Sequence, residues 1–95
     1  MYVRVVRFID VSAERIEGVA AQIKAADGAP PGVRSTGIQM LFDEAQRTAV
    51  VLQLFETAED MAEGGRVFGA MDSGETPGTR ASVDMCEVKL DLQPS

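Results

Sequence analysis

Histidine, tryptophan and asparagine are all missing from this 95-residue chain, which carries one cysteine and one tyrosine. Without histidine there is no imidazole to serve as a general base near neutral pH, and none to ligate a metal. The lone Cys86 excludes an internal disulfide, and with no histidine beside it zinc lacks a ligand set. No carboxylate spacing matches a calcium loop, so no metal site is expected. The run Gly64-Gly65-Arg66-Val67-Phe68-Gly69 lacks the glycine spacing and the preceding strand of a dinucleotide fingerprint, and no cofactor is expected either. Cations are scarce, with 9 Lys+Arg against 15 Asp+Glu and a net charge of −6. That field repels phosphate backbones and anionic lipid, which argues against nucleic acid or a membrane as partner. No apolar run approaches bilayer length, and Arg4 and Arg7 interrupt the only early apolar stretch, so neither a span nor a leader segment is expected. The expectation is a soluble protein of the reducing cytoplasm.

What is present is an ordered alternation of two periodicities. Residues 2–9 and 33–42 read as strands on either side of a helix at 13–26; residues 48–56 and 80–91 flank a second helix at 58–71. Strand–helix–strand, repeated once, predicts an α+β fold: a ferredoxin-like βαββαβ sandwich, one domain over residues 1–95, with a four-stranded antiparallel sheet and both helices on one face. In the first strand Tyr2, Val6 and Phe8 share a face with Arg4, while Val3, Val5 and Ile9 share the other with Arg7. Apolar groups on both faces predict a central strand. Ser12 is a suitable N-cap, Val11 can staple onto Ile16, and Ile16, Val19, Ala20 and Ile23 follow the i, i+3, i+4, i+7 rule. Asp27-Gly28 and then Pro30-Pro31 should end that helix. Thr57 through Asp60 resembles a capping box for the second helix, whose inner stripe is Met61, Gly65, Phe68 and Met71, and Asp72-Ser73-Gly74 should stop it.

The middle strands read as a hairpin around residues 43–47. Pairing Phe42 with Thr48 puts Ile38, Met40, Val50, Leu52 and Leu54 on one face, expected beneath the helices. Gly37, Gln39, Leu41, Ala49, Val51, Gln53 and Phe55 then fall on the other. The last strand changes phase: Ala81, Val83 and Met85 are apolar on one side, Val88, Leu90 and Leu92 on the other. That predicts a bulge near Cys86-Glu87 or a second half that packs on something new. A sheet with helices on one face leaves the other bare, and Leu41, Val51 and Phe55 on it are too much apolar area to leave in water. A homodimer through this face and the last strand follows as the expected partnership.

In this arrangement the chain resembles the dimeric α/β-barrel superfamily and, within it, the antibiotic-biosynthesis-monooxygenase-like group. The features that carry the resemblance are the opening YVRVVRFIDV, the Ser12-capped helix, the hairpin, the segment FETAEDM before the second helix, and a last strand reaching towards a partner. It covers the whole chain through patterns rather than signatures. Such proteins hold small ligands, often polycyclic aromatics or haem, between sheet and helices or in the barrel. The resemblance implies a small hydrophobic or aromatic ligand and, as one activity, cofactor-independent oxygenation of a small aromatic or polyketide-like compound. Haem-degrading relatives use Asn, Trp and His, and haem-peroxidase-like relatives use His; this sequence has no matching positions. A non-catalytic ligand-binding role and a structural or interaction dimer stand beside the enzyme.

The candidate ligand-binding side chains are Arg4, Arg7, Gln39, Gln53 and Asp84. A guanidinium on a central strand can pair with an oxyanion or an enolate; its bland alternative is an ion pair with Asp84 or Glu87 on the last strand. Gln39 and Gln53 can line a cavity, or satisfy each other, the backbone or a partner. Tyr2 can donate to a ligand, or simply pack near the terminus. Cys86 sits between acidic Asp84 and Glu87, which disfavours a thiolate nucleophile. Glu56, Glu59, Asp60 and Glu63 read as a solvated face of the second helix.

Overall fold

Valine, isoleucine and phenylalanine fill the opening strand because branched and aromatic side chains pack well on a pleated surface. The computed structural model describes residues 1–26, 31–70 and 76–93. Its elements run β1 (Tyr2–Ile9), α1 (Ala13–Ala26), β2 (Ser35–Asp43), β3 (Thr48–Phe55), α2 (Ala58–Gly69) and β4 (Thr79–Glu87). The strands form one open antiparallel sheet in the order β2-β3-β1-β4, so β1 and β3 are central. Both helices lie over the face that carries Arg4, Val6 and Phe8. This α+β arrangement is compatible with a ferredoxin-like sandwich.

Capping starts both helices. Ser12 Oγ accepts from the Arg15 amide at 3.1 Å, and Thr57 Oγ1 accepts from the Asp60 amide at 3.0 Å. The core gathers where β1 turns into α1: Val6, Phe8, Val11, Ile16, Ala49 and Val51, with Met40 and Phe42 packed against them. Of the α1 stripe only Ile16 is fully buried, whereas Val19, Ala20 and Ile23 are half-buried. The expected stops at Asp27-Gly28 and Asp72-Ser73-Gly74, with Pro30 and Met71, lie outside the described residues.

α2 comes closer to the sheet through its glycines. A Cβ at Gly64 would stand 2.7 Å from the Phe55 ring, and Phe55 is wholly buried. Gly18 of α1, by contrast, is exposed with nothing near it. Two opposite results are therefore expected from the same substitution. Gly18→Ala should stabilise the protein by about 0.5–1 kcal/mol, the usual backbone gain in a helix. Gly64→Ala should destabilise it by about 1–3 kcal/mol, because overpacking against an immobile ring outweighs that gain. Urea unfolding of the two variants measures both; equal stabilisation by both would contradict the packing at Phe55.

Four expectations need correction. The hairpin register is shifted by one: Phe42 pairs with Ala49 and Asp43 with Thr48. Asp43 Oδ1 accepts from the Gln46 amide at 3.2 Å and Oδ2 from its side chain at 2.8 Å, while Arg47 takes a left-handed φ of 54°. A four-residue loop of residues 44–47 thereby closes at Asp43. Under the helices lie Met40, Phe42, Ala49, Val51, Gln53 and Phe55; Val50, Leu52 and Leu54 face the other way with Leu41 and Gln39. Val51 and Phe55 thus belong to the covered face and not the bare one.

The irregularity in β4 is also elsewhere. The β1–β4 register shifts between Arg7 and Phe8, which leaves Ala81 as the extra residue, while Tyr2 pairs regularly with Glu87 and Val3 with Cys86. β4 ends at Glu87, short of residue 91, after which the Val88 amide donates to Met1 O at 2.9 Å. Beyond it Leu90 and Leu92 are 81% and 79% exposed. No helix of the described residues is long and apolar enough to cross a membrane.

Candidate functional site

Because the second half of α1 stands away from the sheet, a cavity of about 560 Å³ opens between them. Arg4, Val6 and Phe8 of β1, Val51 and Gln53 of β3 and Ile38 and Met40 of β2 form its floor. Val19, Gln22 and Ile23 of α1 and Phe68 of α2 form its walls, and Thr76, Pro77 and Arg80 stand at its margin before and within β4. The volume lies in the range that holds a drug-sized molecule, and the surface is mostly apolar. Among the described residues, none of those lining it carries a carboxylate.

Arg4 is the outstanding group. Its side chain is fixed by β1 between Gln53 on β3 and Met85 on β4. The residue is 4% exposed, yet among the described residues it meets no carboxylate. Nη1 donates to Gln53 Oε1 at 2.9 Å, and Cζ stands 5.8 Å from the centroid of the Phe68 ring, within cation–π reach. Nε is buried with no acceptor among the described residues. Gly65 makes room for this arrangement: a Cβ there would lie 3.1 Å from Met85 Cε and 3.6 Å from Arg4 Nε. Burial, and after it the neighbouring charge of Arg80, hold the Arg4 guanidinium below its ordinary value. It remains a cation at neutral pH, because guanidinium basicity starts far above neutrality.

A buried cation normally acquires a paired anion, since transfer of an isolated charge from water costs several kcal/mol. Here one amide oxygen and one ring face partly compensate it, and the cavity is where an anion could complete the set. The expected partner for the first-strand arginines, Asp84 or Glu87, is not what Arg4 meets: Arg4 lies opposite Met85, Asp84 is on the uncovered face, and Glu87, though on the face of Arg4, is bonded to Tyr2 and Lys89.

The candidate residues divide by face. Arg4 and Gln53 meet in the cavity. Arg7 pairs with Val50 and Ser82, Gln39 with Leu52, and Asp84 with Val5, which places all three on the uncovered face. Gln39 and Gln53 therefore cannot satisfy one another. Arg7 borders a shallower hollow of about 210 Å³ beside Leu41, Asp43 and Val50. Tyr2 turns its hydroxyl to Glu87 Oε2 at 3.3 Å, away from the cavity. Bonding from Lys89 and then Tyr2 holds the Glu87 carboxyl below its usual range. Cys86 is exposed on the uncovered face. Glu63 pairs with Arg66 on the surface of α2, and no cluster that could hold a metal exists among the described residues.

Arg80 and Gly65 complete the site without having been expected in it. Arg80 reaches the covered face only because Ala81 is an extra residue, and nothing in the local sequence announces that bulge. Gly65 had a place in the α2 stripe, but its use as headroom for Arg4 depends on the cross-strand register. The chain matches no family model, no curated protein and no solved structure. The cavity's chemistry has to carry the functional reading.

Proposed function

We propose that this domain binds a small, mainly apolar or aromatic compound through one ionised oxygen, in the cavity between α1 and the sheet. The observation that carries this reading is Arg4, a buried cation without a counter-ion among the described residues, in the floor of a mostly apolar space. An oxyanion would remove its electrostatic cost, and Val6, Phe8, Val51 and Ile23 would shelter the rest of the molecule. The binding group is a phenolate, enolate or carboxylate.

The resemblance to antibiotic-biosynthesis monooxygenases gives this reading an enzymatic form. Arg4 lowers the pKa of a bound phenol or enol and the proton passes to water, as no lining carboxylate is available to take it among the described residues. The electron-rich anion then reduces dioxygen: a ring CH2 becomes a carbonyl, one oxygen atom enters the product and the other leaves as water. The non-catalytic form stops at the bound anion. Oxygen consumption separates the two.

Thermal-shift screening with phenols, quinones, aromatic carboxylates and haem is the direct test, run on the native protein and on Arg4→Gln. Glutamine keeps a donor for Gln53 and removes the charge. Anionic aromatics should raise the melting temperature of the native protein and bind Arg4→Gln about tenfold or more weakly, as loss of a charge-assisted bond of about 1.5–3 kcal/mol requires. Equal binding by both proteins would sink the reading.

A second reading concerns assembly, and the uncovered sheet face favours it. Val3, Val5, Val50, Leu52 and Leu54 are half-buried there within one chain, and Leu41 is 51% exposed. A homodimer joined across this face, with residues 88–92 reaching over the partner, would take that surface from water. In a purely structural protein this contact would be the whole function, and the cavity would stay unused.

A further inference from the structure

The cavity has a second cation, and the way it arrives there is informative. With regular pairing along β1, Arg80 would share a face with Ser82 and point away from the helices. The extra residue Ala81 reverses it, so that Arg80 stands opposite Phe8 and lines the cavity. Bulges re-aim side chains in this way beside binding sites. Arg80 is exposed and forms no ion pair among the described residues. Arg4 and Phe8 are four residues apart on one face of β1, so the two arginines are rooted about 13 Å apart along the sheet. Between them the floor is Val6 and Phe8, both buried and apolar. One guanidinium is deep and one is at the margin. Arg80 adds to what disfavours the Arg4 cation, so the two charges repel across the cavity, with no acid among the described lining residues.

We propose that the cavity selects an elongated apolar compound with an ionised oxygen group at each end, one held by Arg4 in the depth and the other by Arg80 at the margin. A dianion meets both cations and relieves their repulsion, whereas a monoanion leaves one of them unanswered. This deepens the reading of the cavity as an anion site and depends on it.

The probes are biphenyl dicarboxylate, with its carboxylates at the two para ends, and para-biphenylcarboxylate, with one. Calorimetric titration should show the dicarboxylate binding the native protein about fivefold or more tightly than the monocarboxylate. Arg80→Gln should bring that ratio to about one, because the dicarboxylate loses far more affinity than the monocarboxylate; Arg80 is exposed, so the variant is expected to fold. Arg4→Gln should weaken both probes. Monocarboxylate binding through Arg4 with no advantage for the dicarboxylate overturns the two-ended selection alone. An advantage that survives Arg80→Gln overturns it as well. Failure of both probes to bind removes the anion site itself, and this inference with it.

Discussion

Arg4→Met combined with Gln53→Leu is expected to give a protein that unfolds at higher temperature than the native one and binds no aromatic anion. Replacing buried charged groups by apolar side chains of similar volume is often neutral or stabilising, by about 1–4 kcal/mol. The gain should be towards the upper part of that range here, because Arg4 lacks even a paired acid among the described residues and its Nε has no acceptor. The losses are smaller. The Nη1 bond to Gln53 Oε1 goes, at about 0.5–1.5 kcal/mol net, and so does the contact with Phe68, at about 0.5–1 kcal/mol. Arg4→Met alone should be close to neutral, since it strands the Gln53 amide in a residue that is only 5% exposed. For a domain of this size each kcal/mol moves the melting temperature by about 4–8 °C, so calorimetry resolves the difference. A double variant that melts below the native protein would mean that the Arg4 charge is already well compensated, and the case for an anion in the cavity would lose its physical basis. A stable variant without binding would be the usual sign that stability has been given up for function.

How much of this was legible from the residues depends on the strand. The two faces of β1 are legible in its alternation, with Arg4 beside Tyr2, Val6 and Phe8, but which of them the helices cover and what Arg4 meets there are not. α1 begins at Ala13 and its cap is Ser12, because a hydroxyl before an amphipathic stripe is a local signal needing no tertiary knowledge. β3 misled because both its faces are apolar apart from Gln53. The wholly apolar set Val50, Leu52 and Leu54 looked like the buried one. What decided its orientation was a long-range requirement: Arg4 faces inward and needs an acceptor at the paired position, which Gln53 supplies. Once β1 was oriented, that demand could have oriented β3. The loop at residues 44–47 shifted the hairpin register by one and turned Leu41 and Gln39 outward with the rest. Arg80 was out of reach, since its face follows from a bulge that costs one unpaired residue and leaves no mark in composition.

Leu52→Asp is the corresponding test of assembly, and it should turn a dimer into monomers without emptying the cavity. Leu52 lies opposite Val5 on the two central strands, in the middle of the uncovered face, with Val3, Leu54 and Val50 around it. In the proposed two-fold contact this patch meets its own copy, and each side chain of this kind is worth about 1.5–3 kcal/mol when fully removed from water. A carboxylate at its centre would face a second copy of itself across the axis, a repulsion that Arg7 at the edge of the patch only partly offsets, and adds to a chain already at −6. Burying a charge so placed costs several kcal/mol, so the dissociation constant should rise by about 100-fold or more. Leu52 belongs to the opposite face from Arg4 and Gln53, and the folded monomer should still bind an aromatic carboxylate. Sedimentation at micromolar concentration, followed by titration of the same sample, reads both outcomes. Native protein that is already monomeric would remove the interface altogether, since six apolar side chains would then be stable against water alone. Monomers of Leu52→Asp that fold but no longer bind would show instead that the second copy completes the cavity.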